Sequence, residues 1–365
     1  MTEVMKNKLP RYTATLLKLF LGAFFVFSAL AKFVSIDLLN IYIYSFGIFS
    51  LNLSIVAAWL LISLELLLGV ALMANKYHKW VCMANLMLLV AFTLFLGYAQ
   101  LVGRTDNCHC LGELLPFSPV ESMLKNAVLI VLLLVVWKYA DPQMRIRWWV
   151  PLSIMVLLIG LMYLSGRRGW VHMTLIDFQY CATLVACMAV VGVVFTTKLG
   201  NKLWLQGLLA LVPVVAIFVL SVAAGWLHKS NTNMVNEAKL TEAITDDAQL
   251  GCAGLDKGRK VLCLFSRTCG YCRIASQKIT MIQHRNDLPA EAIVTAFPGE
   301  DTVGIAAFYQ NGAQRYQEYL IDPTSSVMIT YGQFPTVVLL EDGKVQAAYG
   351  HGDISESRIV NFLKK

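Results

Sequence analysis

A chain of 365 residues has room for two or three domains, and 57% of it is hydrophobic against 15% charged. With a mean hydropathy of +0.61, that balance excludes an ordinary soluble globular chain and requires several membrane spans. The net charge of +7 is no nucleic-acid signature, because the basic residues fall mostly in short loops between apolar runs.

Runs long enough to cross about 30 Å of hydrocarbon occur at Ala14–Val34, Leu51–Met73, Val81–Val102, Val120–Trp137, Trp148–Leu164, Ile176–Thr196 and Leu203–Leu227. That makes seven, the fifth being the shortest. Basic residues precede the first run, and Ala29-Leu30-Ala31 has the small-residue pattern of a leader cleavage site. Its apolar stretch is long for a leader, so a retained helix is expected.

Lysine and arginine set the orientation. Lys6, Lys8 and Arg11 precede the first span, Lys76 and Lys79 follow the second, Lys138, Arg145 and Arg147 follow the fourth, and Lys198 and Lys202 follow the sixth. The opposite loops hold only Arg104, Arg167 and Arg168. By the positive-inside rule the N-terminus is cytoplasmic, and seven crossings put everything after His228 outside. The predicted location is a bacterial inner membrane with a periplasmic or extracellular C-terminal domain.

Polar groups inside spans are costly. Glu65 lies deep in the second span, with Lys18 at similar depth on the first as the expected neutralising partner. Lys32 and Lys125 lie towards the outer side, and each either snorkels to the interface or serves a ligand. Cys82, Cys181 and Cys187 sit in or at the ends of spans and are read as packing residues.

Beyond the last span, residues 229–248 are polar and are expected to be a tether, with a helix from about Asn236. Val261–Phe265 then reads as a buried strand, and a helical pattern runs from Cys272 to about His284. Cys269 and Cys272, two residues apart in Thr268-Cys269-Gly270-Tyr271-Cys272, therefore occupy a strand-to-helix turn. Free amides and the helix dipole there favour a thiolate. The alternatives are a zinc pair or an inert disulfide, but no second ligand pair stands at a zinc spacing, so no metal is expected. Cys252 has no assigned role.

This layout resembles the thioredoxin fold over residues 249–365. The resemblance implies a cis bond at Phe334-Pro335 packed against the cysteines, an apolar strand from Thr336 to Leu340, a hairpin turn at Glu341-Asp342-Gly343 to Lys344 and Val345, and a terminal helix around Ile359–Leu363. Thr268 replaces the family's usual Trp, which is similar to periplasmic disulfide isomerases. Cys263, six residues before Cys269, replaces a buried acid that often assists proton transfer.

A second pair stands in the loop after the third span, Thr105-Asp106-Asn107-Cys108-His109-Cys110-Leu111-Gly112-Glu113. In an extended chain the two Cα atoms would be ~7 Å apart, so a disulfide needs a turn at His109. Such a bond is expected to be exposed and labile, with His109 stabilising either thiolate when protonated. A metal site or two unrelated loop cysteines are the alternatives. Four spans with Gly22-Ala23-Phe24-Phe25-Val26-Phe27-Ser28 and Lys32, Glu65-Leu66-Leu67-Leu68-Gly69, this cysteine loop, and Leu124-Lys125-Asn126 resemble the DoxX superfamily. The nearest branch is the MauE-like one, and the resemblance covers residues 13–140. It implies envelope disulfide chemistry with quinone-linked redox.

The expected organisation is a four-helix membrane domain at 1–140, about three further transmembrane helices at 141–228, the tether at 229–248 and a thioredoxin-like domain at 249–365. The expected activity is membrane-bound thiol–disulfide oxidoreduction. Cys269 and Cys272 exchange with cysteine-bearing envelope clients and with Cys108 and Cys110, which pass electrons to a lipid-soluble acceptor of the quinone pool. No cofactor is bound covalently. Client oxidation is the favoured direction. The alternatives are a conduit carrying reducing power outward, or an assembly factor whose cysteines do no redox work.

Overall fold

In a computed structural model, residues 2–74, 78–102, 108, 110–113, 117–140, 147, 149–167, 232–246, 250–309 and 313–364 are described. They fall into two compact units, one holding residues 2–43 and 55–167, the other Tyr44–Ser54 and residues 232–364.

The first unit is helical. Its elements are α1 (Thr2–Val34), α2 (Ile36–Tyr44), α3 (Leu51–Ala74), α4 (His78–Leu101), a short strand β1 (Cys110–Glu113), α5 (Pro119–Tyr139) and α6 (Trp149–Arg167). Four of these contain stretches long and apolar enough to cross a membrane: Tyr12–Phe33, Leu51–Ala74, His78–Leu101 and Pro119–Tyr139. The fifth expected span, α6, is helical, with a shorter apolar stretch at Trp149–Leu161 among the described residues, and the sixth and seventh lie outside the described residues. The sequence reading did not foresee α2, which lies between the first two spans.

Polarity in this unit is reversed relative to a soluble domain. Leu16, Phe20, Leu64, Leu94, Tyr98 and Leu124 are exposed, whereas Lys18, Ser28, Lys32, Glu65, Asn85 and Asn126 are buried. Apolar solvent on the outside and satisfied polar groups within are what a bilayer demands. Two motif glycines set the approach of α1 to α3. A Cβ on Gly22 would stand 2.8 Å from the carbonyl oxygen of Gly69, and one on Gly69 would stand 2.9 Å from that of Gly22. Small residues at such a crossing let helices pack in lipid, where no hydrophobic effect drives them together.

The second unit is a five-stranded mixed sheet with helices on both faces. After α7 (Glu237–Thr245) come β2 (Arg259–Leu264), α8 (Gly270–Arg285), β3 (Ile293–Pro298), α9 (Ile305–Phe308), β4 (Gln317–Ile321), α10 (Pro323–Thr330), β5 (Thr336–Glu341), β6 (Lys344–Tyr349) and α11 (Glu356–Lys364). The strand order is β4-β3-β2-β5-β6. β2, β3 and β4 run parallel, while β5 is antiparallel to both β2 and β6. The hairpin between β5 and β6 turns at Asp342 (φ 51°) and Gly343 (φ 77°), the two positive φ values that a tight hairpin loop requires.

Strand alternation splits the core by parity. Val261, Cys263, Val337 and Leu339 face α8 and α11 with Ile279 and Ile359. Leu262, Leu264, Val338 and Leu340 face the other side with Ile329 of α10 and Leu240 and Ile244 of α7. α7 corrects the expected tether. Within residues 229–248, the described part from 232 to 246 is folded into this unit. Asn236, near which the sequence reading expected a helix to start, caps α7 by accepting from the Lys239 amide at 3.2 Å, and the helix buries one apolar face on the sheet.

Candidate redox sites in the two units

In the second unit, β2 ends at Leu264, and the chain turns through Ser266–Thr268 into α8, whose N-cap is Cys269. The first cysteine thus stands at the amide end of a 16-residue helix. Cys269 is partly exposed and Cys272, one turn in, is completely buried. Both are free thiols. Burial pushes the Cys272 thiol well up, a hydrogen bond with Cys269 adds to this, and the Ser266 amide, donating to its sulfur at 3.3 Å, opposes it. Cys272 is therefore protonated at neutral pH.

The Phe334-Pro335 peptide is cis, and the Phe334 carbonyl accepts from Cys269 Sγ at 3.8 Å. Cys263 is fully buried in β2, and desolvation raises its thiol far above the ordinary range. It is a packing residue and supplies no charge to the turn.

Some groups around this turn escaped the sequence reading. Arg267 donates to Asp301 at 2.7 Å, to the Val303 carbonyl at 2.6 Å and to the Pro298 carbonyl at 3.0 Å. It thereby ties the segment after β3 to the residues entering the active turn. Asp301 is held below the usual carboxylate range by that hydrogen bond. The Tyr271 ring, between the two cysteines, packs on His351 with centroids 4.3 Å apart.

In the first unit, Cys108 and Cys110 form a disulfide with Cα atoms 5.2 Å apart. The expectation of an exposed bond is corrected, since both cysteines are completely buried. Backbone and hydroxyl contacts from two spans hold them there. The Cys108 amide donates to the Phe117 carbonyl at 3.2 Å, and Ser28 Oγ of α1 donates to the Cys110 carbonyl at 3.4 Å. Ser122 Oγ lies 3.0 Å from Cys108 Sγ; a disulfide sulfur has no proton, so the hydroxyl donates. Ser122 is fixed by the capping box that starts α5, in which Ser118 and Glu121 satisfy each other's backbone. His109 lies outside the described residues, as do Cys181 and Cys187.

Behind the disulfide stands a buried ion pair, Lys32 Nζ to Glu65 Oε2 at 2.7 Å, and Lys32 also donates to Ser28 Oγ at 2.7 Å. The expected Lys18–Glu65 pairing is thereby corrected. Lys18 is completely buried and meets His78 Nδ1 at 2.8 Å, with Cys82 Sγ 3.7 Å from the same nitrogen. Lys32 and Lys18 do not snorkel, because each finds a polar partner inside the bundle. Ser28, Lys32, Glu65 and Lys125 line one cleft together with Phe92 and Asn126. The sequence pattern singled out Lys32, Glu65 and Lys125 but gave no sign of the Ser28 and Ser122 hydroxyls.

Residues 10–139 match the family model described as methylamine utilisation protein MauE. Across almost the whole chain there is similarity to Protein TlpB of Flavobacterium psychrophilum, 26% identical over 369 residues, covering 96% of this chain and 93% of that protein. No solved structure matches.

Proposed function

Residues 10–139 are a MauE-family membrane domain, and from that premise we infer that the protein is a membrane-bound thiol–disulfide oxidoreductase with two cysteine pairs in series. One observation carries this reading. A partly exposed Cys269 caps a helix over a buried, protonated Cys272 beside a cis proline, while the same chain holds a second, lipid-domain disulfide at Cys108–Cys110. A dithiol in one pair and a disulfide in the other are the two reactants of a single exchange step.

The cycle runs as follows. A client thiolate attacks the Cys269–Cys272 disulfide at Cys269, releasing Cys272 as the thiol. The client's second thiolate then displaces Cys269, leaving an oxidised client and a reduced pair. Cys269, as thiolate, attacks the Cys108–Cys110 bond, and Cys272 resolves that mixed disulfide, so two electrons pass to the membrane pair. A quinone dissolved in the bilayer reoxidises it and leaves as quinol. Both pairs work on the non-cytoplasmic side of a bacterial inner membrane, a placement that the lysine and arginine distribution supports.

The test uses full-length protein in lipid nanodiscs with a dithiol peptide and decyl-benzoquinone. Peptide oxidation should be catalytic in the wild type, limited to about one equivalent in Cys108→Ser/Cys110→Ser, and absent in Cys269→Ser. Catalytic peptide oxidation by the Cys269→Ser variant would refute the reading.

A further inference from the structure

The cleft behind the disulfide holds more charge than its own ion pair explains. Among the described residues that line it, Glu65 is the one carboxylate, and it is committed to Lys32 at 2.7 Å. Lys125, opening onto the same space from α5, adds a second ammonium, so the described lining carries two positive charges against one negative. Among the described residues Lys125 makes no ion pair of its own. The rest of its lining is chiefly Leu and Phe.

Ser28 joins this cleft to the disulfide. Its hydroxyl accepts from Lys32 at 2.7 Å and donates to the Cys110 carbonyl at 3.4 Å, so the Cys110 backbone and the cleft's ion pair share one hydroxyl. The Phe92 ring lines the same cleft, with Lys32 Nζ 6.0 Å from its centroid. Thus an apolar slot with an aromatic wall and one surplus cation abuts a redox-active pair.

We propose that this cleft is the head-group site of the lipid-soluble acceptor, with Lys125 donating to a ring carbonyl of a quinone and Phe92 packing on the ring. The proposal rests on the oxidoreductase reading above and deepens it by assigning the acceptor's residues. The chemistry selects this ligand class. A molecule that reaches the slot through lipid must arrive uncharged, and the surplus cation favours one whose oxygen becomes negative as electrons arrive. A phosphate head group would arrive already charged.

The step balances. The reduced Cys108 and Cys110 thiols lose two protons and two electrons, and the S–S bond forms. The two carbonyl oxygens of the quinone become the two hydroxyls of the quinol.

The experiment takes full-length protein in nanodiscs, reduced at both pairs and freed of reductant, and titrates decyl-benzoquinone under argon. Quinone absorbance and the count of remaining thiols are followed together. Lys125→Met should raise the half-saturating quinone concentration about tenfold or more, the weight of a hydrogen bond to a charged donor, and Lys125→Arg should restore most of the loss. Phe92→Leu should raise it by a smaller factor. Exchange between Cys269/Cys272 and a dithiol peptide should be unchanged in all three.

If the wild type is oxidised by quinone and both Lys125→Met and Phe92→Leu saturate as it does, the cleft assignment is wrong and the oxidoreductase reading stands. If Lys125→Met slows peptide exchange in parallel, Lys125 acts on the cysteines rather than on the acceptor, and the assignment again falls. A wild type that quinone does not oxidise overturns the cleft and the acceptor together. Preferential loss of co-purified anionic lipid from Lys125→Met, with quinone saturation unaltered, would mark the cleft as a lipid-phosphate site instead.

Discussion

Cys269 is partly open to solvent at the amide end of a helix, fixed by backbone groups and by Phe334. Cys108 and Cys110 are completely buried, held by serine hydroxyls from two spans with a buried ion pair behind them. The first arrangement suits encounters with large partners, because one sulfur is on the surface while its mate is covered. The second is covered throughout, so burial and not cysteine spacing distinguishes the two pairs.

The sharpest way to break this comparison is at the exposed sulfur. Cys269→Ser should abolish dithiol-peptide oxidation altogether, whereas Cys272→Ser should accumulate mixed disulfides through Cys269, visible on non-reducing gels. If the trapping variant is Cys269→Ser instead, the roles of surface and buried thiol are exchanged.

Next in size is the support of the membrane pair. Lys32→Ala leaves Glu65 as an uncompensated buried charge and should destabilise the first unit by about 3–5 kcal/mol. The double change Lys32→Met/Glu65→Leu should cost less than either single one. Thermal denaturation in nanodiscs, with the second unit's transition as internal control, measures both. A loss in the double variant equal to the sum of the two single losses would mean that the pair is not coupled.

A smaller effect comes from pH. The Cys272 thiol is held above its ordinary pKa, chiefly by burial, so only a small fraction is thiolate at neutral pH, and that fraction rises as pH rises. Resolution of a mixed disulfide at Cys269 should therefore accelerate with pH, approaching tenfold per unit across the neutral range. Stopped-flow release of a fluorescent peptide from Cys269 gives the profile, and a flat one would place the proton elsewhere.

The smallest change is expected at Arg267→Ala. Its partner Asp301 is well exposed, so the ion pair itself contributes little, and the loss comes chiefly from the hydrogen bonds to the Val303 and Pro298 carbonyls. Denaturant melts of the second unit should show a small loss, with disulfide exchange at Cys269 and Cys272 unchanged.

How much of this was legible in the sequence depends on whether a local pattern or a long-range contact decided the matter. The β2–turn–α8 segment, the Asp342-Gly343 turn and the start of α7 near Asn236 are written within a few residues each, and they were readable, while the cis proline was implied by the resemblance to the thioredoxin fold. The first four spans were readable because lipid demands an apolar length. Lys18 and Lys32 were not separable that way, since both are lysines on one helix. Only the placement of His78 against one and Glu65 against the other assigns them. The burial of Cys108 and Cys110 likewise depends on Ser28 and Ser122, 80 and 14 residues away from Cys108, which no local pattern contains. Residues 232–246 looked like a linker because α7 is short and polar on one side. Its apolar face is recognised only once the sheet it covers exists.

The most direct measurement of the central claim asks whether the two pairs exchange electrons. A full-length Cys272→Ser variant, with either Cys108 or Cys110 also replaced by Ser, is purified without reductant and digested under non-reducing conditions. Mass spectrometry should find a peptide containing Cys269 joined by a disulfide to one containing the remaining Cys108 or Cys110, and reductant should separate them. Absence of that linked species in both variants, with Cys269 still able to trap peptide, would contradict a direct relay between the pairs.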